Sequence, residues 1–292
     1  MTLVDDAPVP GLRLAVRRSM TVPSGFDVCG DIAWRRTPEG IEIVHALDEA
    51  TISDSAMIAG LLPLVERGVL IGQAGFEEAA TGIIRTSAGT EARSWAAFYD
   101  NSLDELRTGS SPFSPVHRRA RSLIVGDSVL EVGSCFGFFA LQCAEDGRRV
   151  AACDISPGAV ALLSENARRR RTPVEAVRGD ATDLPFSGSS VDTVTLIHLL
   201  EHLDDTAAMS AVSEALRVAR RRVVIAVPYE QDASEHFGHR VRLTESHLRR
   251  WADAVDHAGA ELLEDHGGWL VLRPAPEADG RVGQIRPRLL AM

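Results

Sequence analysis

The chain has 292 residues, of which 45% are hydrophobic, enough for one large domain with its own core and a smaller second unit. Its formal net charge is −10. Because nucleic-acid phosphates are bound by a concentrated basic surface, this charge argues against nucleic acid as the main partner. All 31 basic residues are arginine, which excludes mechanisms that need a lysine Schiff base or a lysine nucleophile.

The four cysteines form neither a CxxC pair nor a zinc-type spacing with histidine. We therefore expect free thiols in a reducing cytoplasm. Residues 1–20 lack the continuous apolar segment of a signal peptide, and no apolar run is long enough to span a membrane. The sequence thus predicts a cytoplasmic protein without a membrane partner.

Residues 1–110 predict a small α/β module, either a cap on the next domain or a surface that binds a substrate or partner. A short strand is indicated over 40–44, and a helix by apolar residues at helical spacing over 58–65, ended by Gly68. A second helix is predicted over 94–106. The segment 109–112 (Gly-Ser-Ser-Pro) breaks this helix and marks the linker to the next domain.

Residues 111–274 alternate between strands and helices, which predicts an α/β domain with a doubly wound, mostly parallel sheet. Five strands are expected in order, followed by a helix over 243–258 that Gly259 closes. A hairpin around Gly267 and Gly268 then adds antiparallel strands, giving seven in all. Residues 275–292 are predicted to form a flexible tail.

The first strand of this domain leads into a glycine loop, Glu131-Val-Gly-Ser-Cys-Phe-Gly137. Doubly wound sheets bind ligands where strands end near the topological switch point, and glycines let the backbone approach a ligand closely. Asp154 ends the second strand, where a carboxylate can accept hydrogen bonds from both ribose hydroxyls of an adenosine group. The nicotinamide-dinucleotide pattern G-x-G-x-x-G fails at Cys135 and Phe138, so a dinucleotide is disfavoured.

The loop resembles the E/D-x-G-x-G-x-G segment of class I S-adenosylmethionine-dependent methyltransferases, in particular ubiquinone O-methyltransferase-like members. Three more segments resemble that family in the same order: 179–186 after the third strand, 191–194 in the fourth, and 198–203 (His-Leu-Leu-Glu-His-Leu) after it. Together they cover about half of the chain. The resemblance implies a Rossmann-like methyltransferase fold with S-adenosylmethionine as the cofactor.

The resemblance also implies roles for the matching residues. Glu131 orders the loop, whose Gly133, Ser134, Cys135 and Gly137 hold the methionine part of the cofactor. The ribose and adenine side and the sulfonium side are formed by Asp154, Ile155, Asp180, Ala181, Ile197 and His198. Each acid has a plainer alternative, namely a helix cap for Glu131, a solvated strand end for Asp154 and a turn former for Asp180.

The sequence departs from the family pattern at Cys135, where glycine is usual. We expect the loop to form if this position avoids positive φ, and cofactor affinity to suffer if it does not.

Transfer to a hydroxyl requires a base or a metal that removes or masks its proton. Candidate bases are His198, His202 and His239, and a helix over 198–202 would place His198, Glu201 and His202 on one face. The same segment resembles the metal-associated segment of ubiquinone-biosynthesis O-methyltransferases, with His198 in place of glutamate. A divalent metal is therefore an alternative to a base but not the favoured one, and no metal ligands are assigned. A structural role for His202 stays open.

The segment 236–244 resembles the family's substrate-side loop, with Thr244 capping the next helix. We expect an enzyme that O-methylates a small molecule or glycoside, with O-methylation favoured over N- or C-methylation. The overall layout also resembles the oligosaccharide methyltransferases of mycofactocin biosynthesis. The alternative is a methyltransferase-like binding or scaffold protein that has lost catalysis, and the sequence does not predict an oligomeric state.

Overall fold

The computed structural model describes residues 13–276. It contains two sheets and eight α-helices within this range. The N-terminal part comprises β1 (Arg13–Arg18), β2 (Asp27–Cys29), β3 (Ile32–Thr37), β4 (Gly40–His45), α1 (Asp54–Glu66), α2 (Gly72–Thr86) and α3 (Glu91–Thr108). The remainder comprises α4 (Ser114–Leu123), β5 (Ser128–Val132), α5 (Phe138–Glu145), β6 (Arg149–Asp154), α6 (Pro157–Arg170), β7 (Val174–Arg178), β8 (Val191–Ile197), α7 (Asp205–Val218), β9 (Ala219–Val227), α8 (Glu245–Ala254), β10 (His257–Glu264) and β11 (Gly268–Pro274).

The larger sheet has seven strands in the order β10-β11-β9-β8-β5-β6-β7. Strands β5 to β9 run parallel to one another, whereas β11 is antiparallel to both β9 and β10. The chain steps from β5 to β6 in one direction and later returns to β8 on the other side of β5. The strand order thus reverses at β5, which confirms the predicted doubly wound, mostly parallel sheet and puts its switch point at the glycine loop.

The central strands of this sheet are buried in the core of the domain. Every residue of β5 is buried, as expected for a central parallel strand covered by helices on both faces. The helix α6 begins with Pro157 in its first turn and with Ser156 accepting a hydrogen bond from the Ala159 backbone N–H. The predicted hairpin at the end of the domain is confirmed by the β10–β11 pair.

The predicted helix over 243–258 is wrong at its C-terminal end. Helix α8 ends at Ala254, and Gly259 lies inside strand β10, opposite Arg273, instead of capping the helix. Val255 already has extended backbone angles. The apolar pattern continues past the end of the helix because β10 pairs with β11, so periodicity did not reveal the boundary.

The N-terminal part contains a four-stranded sheet, β1-β4-β3-β2, and helices that pack directly on the larger domain. The predicted strand over 40–44 corresponds to β4. Rings of α3 meet rings of the glycine loop and α5, with centroid separations of 5.1 Å for Phe98 and Phe136 and 5.3 Å for Tyr99 and Phe138. The two parts therefore share one hydrophobic core across the segment 109–112. The proposed tail, 275–292, lies outside the described residues except for its first two.

Within residues 13–276, no helix is both long enough and apolar enough to cross a membrane.

Candidate active site

The glycine loop leaves the end of β5 and is tied to the end of β6. Gly133 and Gly137 have φ of +73° and +70°, a left-handed conformation that favours glycine. The backbone N–H groups of Gly133 and Ser134 donate to the Cys153 carbonyl at 2.8 and 3.2 Å. A Cβ added at Gly133 would lie 2.7 Å from the Leu199 side chain, so glycine keeps this turn close to the segment after β8.

The buried Asp154 side chain holds this loop in place through hydrogen bonds to backbone N–H groups. Its Oδ2 accepts from the Cys135 N–H at 2.8 Å, and its Oδ1 accepts from the Ser156 N–H at 2.9 Å. The side chain also lines a groove at the carboxyl ends of the strands. The plainer reading of a solvated strand end does not describe it, because Asp154 is 6% exposed.

Glu131 faces the first turn of α5 from inside the core. Its Oε2 accepts from the Ala140 backbone N–H at 2.9 Å, which satisfies one of the unpaired donors at the helix start. Burial raises the pKa of Glu131 to about 8. The structure therefore shows a direct contact with the helix, and through it Glu131 fixes where the loop ends.

Cys135 has a φ of +48°, so the position takes the left-handed conformation, which is the case in which the sequence predicts a loss of cofactor affinity. The strain is borne by a residue whose backbone N–H is held by Asp154. Burial also raises the pKa of the Cys135 thiol to about 12. The thiol is thus neutral, and nothing in its surroundings activates it as a nucleophile.

The groove brings together most of the predicted cofactor residues with two of the three predicted catalytic histidines. It is lined by Val132, Gly133, Cys135, Asp154, Ile155, Gly179, Asp180, Ala181, His198, Leu199, His202 and Leu203. Glu131, Ser134, Gly137, Ile197 and His239 are not among its lining residues. Ile155 is 52% exposed on its wall, and Asp180 Oδ1 accepts two hydrogen bonds from Thr182, as a turn former does.

The segment after β8 is not the helix that would have placed His198, Glu201 and His202 on one face. Only Leu200–His202 forms a short 3-10 turn, and His198 precedes it with a φ of +51°. The side chains still converge, with His198 Nδ1 at 3.7 Å from Glu201 Oε1. Burial lowers the pKa of His198 to about 4 and that of His202 to about 3, so both imidazoles are neutral near pH 7.

Glu201 is the most deeply buried acid of the cluster, with 1% of its surface exposed. Neither carboxyl oxygen has a hydrogen-bond partner among the described residues. Burial raises the pKa of Glu201 to about 8. Sequence reasoning named Glu201 as part of the acid-and-histidine segment but gave no sign of this isolation.

His239 reaches the cluster from the loop after β9. Its Nδ1 lies 2.8 Å from Glu230 Oε2, and its Nε2 lies 4.0 Å from Glu201 Oε1. Glu230 also accepts from the Ser234 hydroxyl at 2.7 Å. Although burial alone would raise it, the pKa of Glu230 is lowered by the hydrogen bonds from His239 and Ser234. The His239 ring stands edge-on to that of His202, with centroids 4.9 Å apart.

The N-terminal part supports this loop through helix α2, which the sequence analysis missed. Phe76 packs against the rings of His236 and Phe237 at centroid separations of 5.6 and 5.3 Å. A Cβ on Gly238 would lie 2.3 Å from Gln73 Oε1. The apolar spacing within Gly72–Thr86 is the signal that could have revealed the helix, whereas its contact with the loop depends on tertiary packing.

Comparison with known proteins agrees with this geometry. Residues 130–227 match the family model described as a methyltransferase domain. The chain is 39% identical over 103 residues to a demethylmenaquinone methyltransferase of Beutenbergia cavernae (35% of this chain, 40% of that protein). It is 35% identical over 105 residues to a probable S-adenosylmethionine-dependent methyltransferase of Mycolicibacterium smegmatis (36% of this chain, 38% of that protein). The chain thus spans about two fifths of the length of these relatives.

Solved structures with a similar arrangement include a SAM-dependent methyltransferase from Aquifex aeolicus, with a TM-score of 0.46 and 15% identity over 60% of this chain and 99% of that one. Another is magnesium protoporphyrin IX methyltransferase from Synechocystis, with a TM-score of 0.41 and 18% identity over 58% and 78%. The matched residues 130–227 run from β5 to β9 and contain the glycine loop and the segment after β8. Over residues 130–227 the chain is therefore similar to a methyltransferase domain.

Proposed function

We propose that the chain is an enzyme that transfers the methyl group of S-adenosylmethionine to a hydroxyl oxygen of a small-molecule or glycoside acceptor. One observation carries this proposal. One groove is lined both by Gly133, Asp154 and Asp180 and by His198 and His202. A cofactor held by the first set would have its methyl group near the second, and we call the two sets the cofactor end and the histidine end of the groove.

The residues at the cofactor end fit S-adenosylmethionine in shape and in chemistry. A Cβ at Gly133 would meet the Leu199 side chain, so glycine keeps the loop close to the segment after β8, and its backbone lines the groove. Asp154 keeps lone pairs for ribose hydroxyls beyond the two backbone donors it accepts. Ile155 offers an apolar face for adenine, Asp180 an acceptor for its amino group, and Ala181 a neighbouring backbone. The methionine part would lie along Gly133, Ser134, Cys135 and Gly137.

When bound, S-adenosylmethionine supplies a methyl group on a positively charged sulfur. The protein must hold the acceptor oxygen in line with that methyl group and take or neutralise the hydroxyl proton as the new O–C bond forms. His198, His202 and His239 are the proposed catalytic residues. Their burial keeps His198 and His202 neutral, so each retains a nitrogen lone pair that can act on the acceptor.

The acceptor class is supported by the names of the relatives, which describe methyl transfer to a small molecule. Oxygen is proposed as the methylated atom because three histidines and a carboxyl group gather beside the methyl position. A glycoside is proposed on the earlier resemblance, and the mycofactocin oligosaccharide is one acceptor of this kind. Arg240 and Arg242 are exposed at the loop and can meet polar groups of such an acceptor.

A second candidate is a methyltransferase-like protein that binds the cofactor or another ligand without catalysis. The left-handed conformation of Cys135 favours it, because strain in the loop is a cost that an active enzyme of this family usually avoids with glycine.

Calorimetry with S-adenosylmethionine and S-adenosylhomocysteine tests the cofactor, and methyl-labelled cofactor with host extract tests transfer. We expect both ligands to bind and a labelled metabolite heavier by one CH₂ to form. Lack of binding by either ligand would overturn the proposal. Binding of both ligands without labelled product from extracts of the host would favour the non-catalytic candidate.

A further inference from the structure

The Glu201 carboxyl group is buried without hydrogen bonds from the described residues that would offset the cost of its burial. A buried carboxyl group whose two oxygens both lack partners is costly, and native proteins rarely leave one in this state. Both oxygens of Glu201 are buried and have no hydrogen-bond partner among the described residues. Nearby stand nitrogen atoms of histidines, at distances of 3.7 and 4.0 Å that are too long for hydrogen bonds.

One set of these groups has the spacing of metal ligands. Glu201, His202 and His239 each offer one ligand atom, and the three atoms lie within 4.8 Å of one another. Two of the ligands come from the segment after β8 and the third from the loop after β9. The cluster therefore exists only in the folded chain, and the sequence, which indicated a metal at 198–202 as an alternative, did not place His239 with that segment.

The neighbours of the two histidines fix which nitrogen faces the cluster. His239 Nδ1 lies 2.8 Å from Glu230 Oε2, so Nδ1–H donates to that carboxylate and Nε2 is left with its lone pair. His202 Nδ1 lies 3.2 Å from the Gly238 carbonyl oxygen and has the same assignment. Histidines that bind metals almost always donate their second ring N–H to a carboxylate or backbone carbonyl in this way.

We propose that Glu201, His202 and His239 form a binding site for one divalent cation of the zinc class. Two imidazoles and one carboxylate suit Zn²⁺ and its transition-metal neighbours, whereas Mg²⁺ prefers oxygen ligands. Three protein ligands would leave a fourth coordination position open. That the open position receives the acceptor hydroxyl rests on the proposed function, whereas the binding of the cation does not.

Glu230 has a separate role beside the three ligands. It does not reach the cluster but holds the His239 ring through Nδ1, supported in turn by the Ser234 hydroxyl. Loss of such an outer partner typically weakens metal binding about 10- to 100-fold. Glu230 is thus a positioning residue, and its substitution should weaken the site less than the loss of a ligand.

The test is calorimetric titration of the metal-stripped full chain with Zn²⁺ and, separately, with Mg²⁺, without cofactor or acceptor. We expect one Zn²⁺ per chain and much weaker Mg²⁺ binding. Glu201→Gln and His239→Asn should each weaken Zn²⁺ binding about 100-fold or more, and Glu230→Gln about 10- to 100-fold. His266→Asn, which removes an exposed histidine on the β10–β11 turn, is the matched control and should bind Zn²⁺ like the parent chain.

S-adenosylmethionine binding by the same variants reports whether they fold, because Glu201, Glu230 and His239 are not among the residues that line the groove. Variants that bind the cofactor but have lost Zn²⁺ would support the proposal. It would be overturned if the parent chain bound no stoichiometric Zn²⁺, or if Glu201→Gln and His239→Asn bound it unchanged. Neither of these results would affect the proposed methyl transfer, since the titration contains no acceptor.

Discussion

The two ends of the groove are built in different ways. The cofactor end is made of loops that each follow a parallel strand, and its contacts are short and satisfied, as in the 2.8 Å bond from Cys135 N–H to Asp154. The histidine end is assembled from the segment after β8, the loop after β9 and the support of α2, and it contains a buried acid, Glu201, whose oxygens have no hydrogen-bond partner within residues 13–276. The residues of the first set are thus held by hydrogen bonds within the protein, whereas the second set leaves Glu201 available to the proposed cation.

The most severe test of this difference is His239→Asn. Asparagine removes the imidazole lone pair beside Glu201 but leaves the loop its polar character. We expect the turnover number to fall about 10²- to 10⁴-fold, the usual contribution of a positioned acid, base or equivalent group. The affinity for S-adenosylmethionine should stay within about twofold of the parent value, because His239 is not among the residues that line the groove.

Steady-state kinetics and calorimetry on the same preparation make this measurement, with His266→Asn as the control. Equal losses of turnover and cofactor affinity would contradict the separation of the two ends. Unchanged turnover would remove His239 from the proposed catalytic residues.

A buried histidine far from the groove shows what burial does without catalysis. His45 in β4 is 1% exposed, and its Nε2 lies 2.7 Å from the Thr86 hydroxyl. Burial, followed by the nearby charge of Arg18, lowers the pKa of His45 to about 4. As the pH falls below about 6.5, His45 therefore binds a proton in the unfolded chain, whereas in the folded chain it stays neutral down to a pH of about 4.

The stability that this histidine contributes is complete above about pH 6.5 and is lost as the pH falls toward about 4. Replacing His45 with glutamine, which does not titrate, should reduce the loss of unfolding free energy between pH 7.5 and 5.0 by about 2 kcal/mol. Urea unfolding at the two pH values measures this difference. An identical loss in both chains would show that His45 accepts its proton without unfolding cost.

The sequence indicated which residues come together at the cofactor end more fully than at the histidine end, because the first follow from the strand pattern and the second depend on an irregular loop. Glu131 and Asp154 lie at the carboxyl ends of strands whose apolar runs are plain, Gly137 lies in the loop that follows the first of them, and parallel strands bring their ends to one edge. The pairing of Glu230 with His239 joins residues nine positions apart in an irregular loop, where no periodic signal applies. The support from α2 crosses more than 150 residues of sequence and depends on packing alone.

Local detail also escaped the sequence at the cofactor end. The side chain of Cys135 gave no indication of its backbone conformation, which is fixed by the hydrogen bond to Asp154 from a different strand. The end of α8 was similarly hidden, because residues that suit a helix continue into a strand that pairs with β11.

Gly137→Ala tests whether the glycine loop at the cofactor end needs its present backbone conformation to bind the cofactor. A methyl group at this position would lie 2.4 Å from the Leu163 side chain, and alanine in the left-handed conformation costs about 1–2 kcal/mol. We expect the affinity for S-adenosylmethionine to fall about tenfold as the loop shifts, with calorimetry as the measurement. Gly75→Ala in α2, where an added Cβ has no neighbour within 4 Å, is the matched control and should bind the cofactor normally.

Cofactor affinity equal in Gly137→Ala and Gly75→Ala would mean that the loop adapts, and the contrast between the two ends would then lose its structural basis.

Cys135→Gly should have the smallest effect and bears most directly on whether the loop is impaired. Glycine relieves the strain of a φ of +48° but adds about 0.5–1 kcal/mol of conformational entropy to the unfolded chain, so the two changes in folding free energy largely offset each other. The Asp154 carboxylate binds the backbone N–H of this residue and not its side chain, so it holds the loop in either variant. In contrast to the loss of affinity that the sequence alone predicts for a positive φ here, we therefore expect the substitution to change the cofactor affinity by less than about twofold. A tenfold gain on substitution would show instead that Cys135 weakens the site, and would favour the non-catalytic candidate over the enzyme.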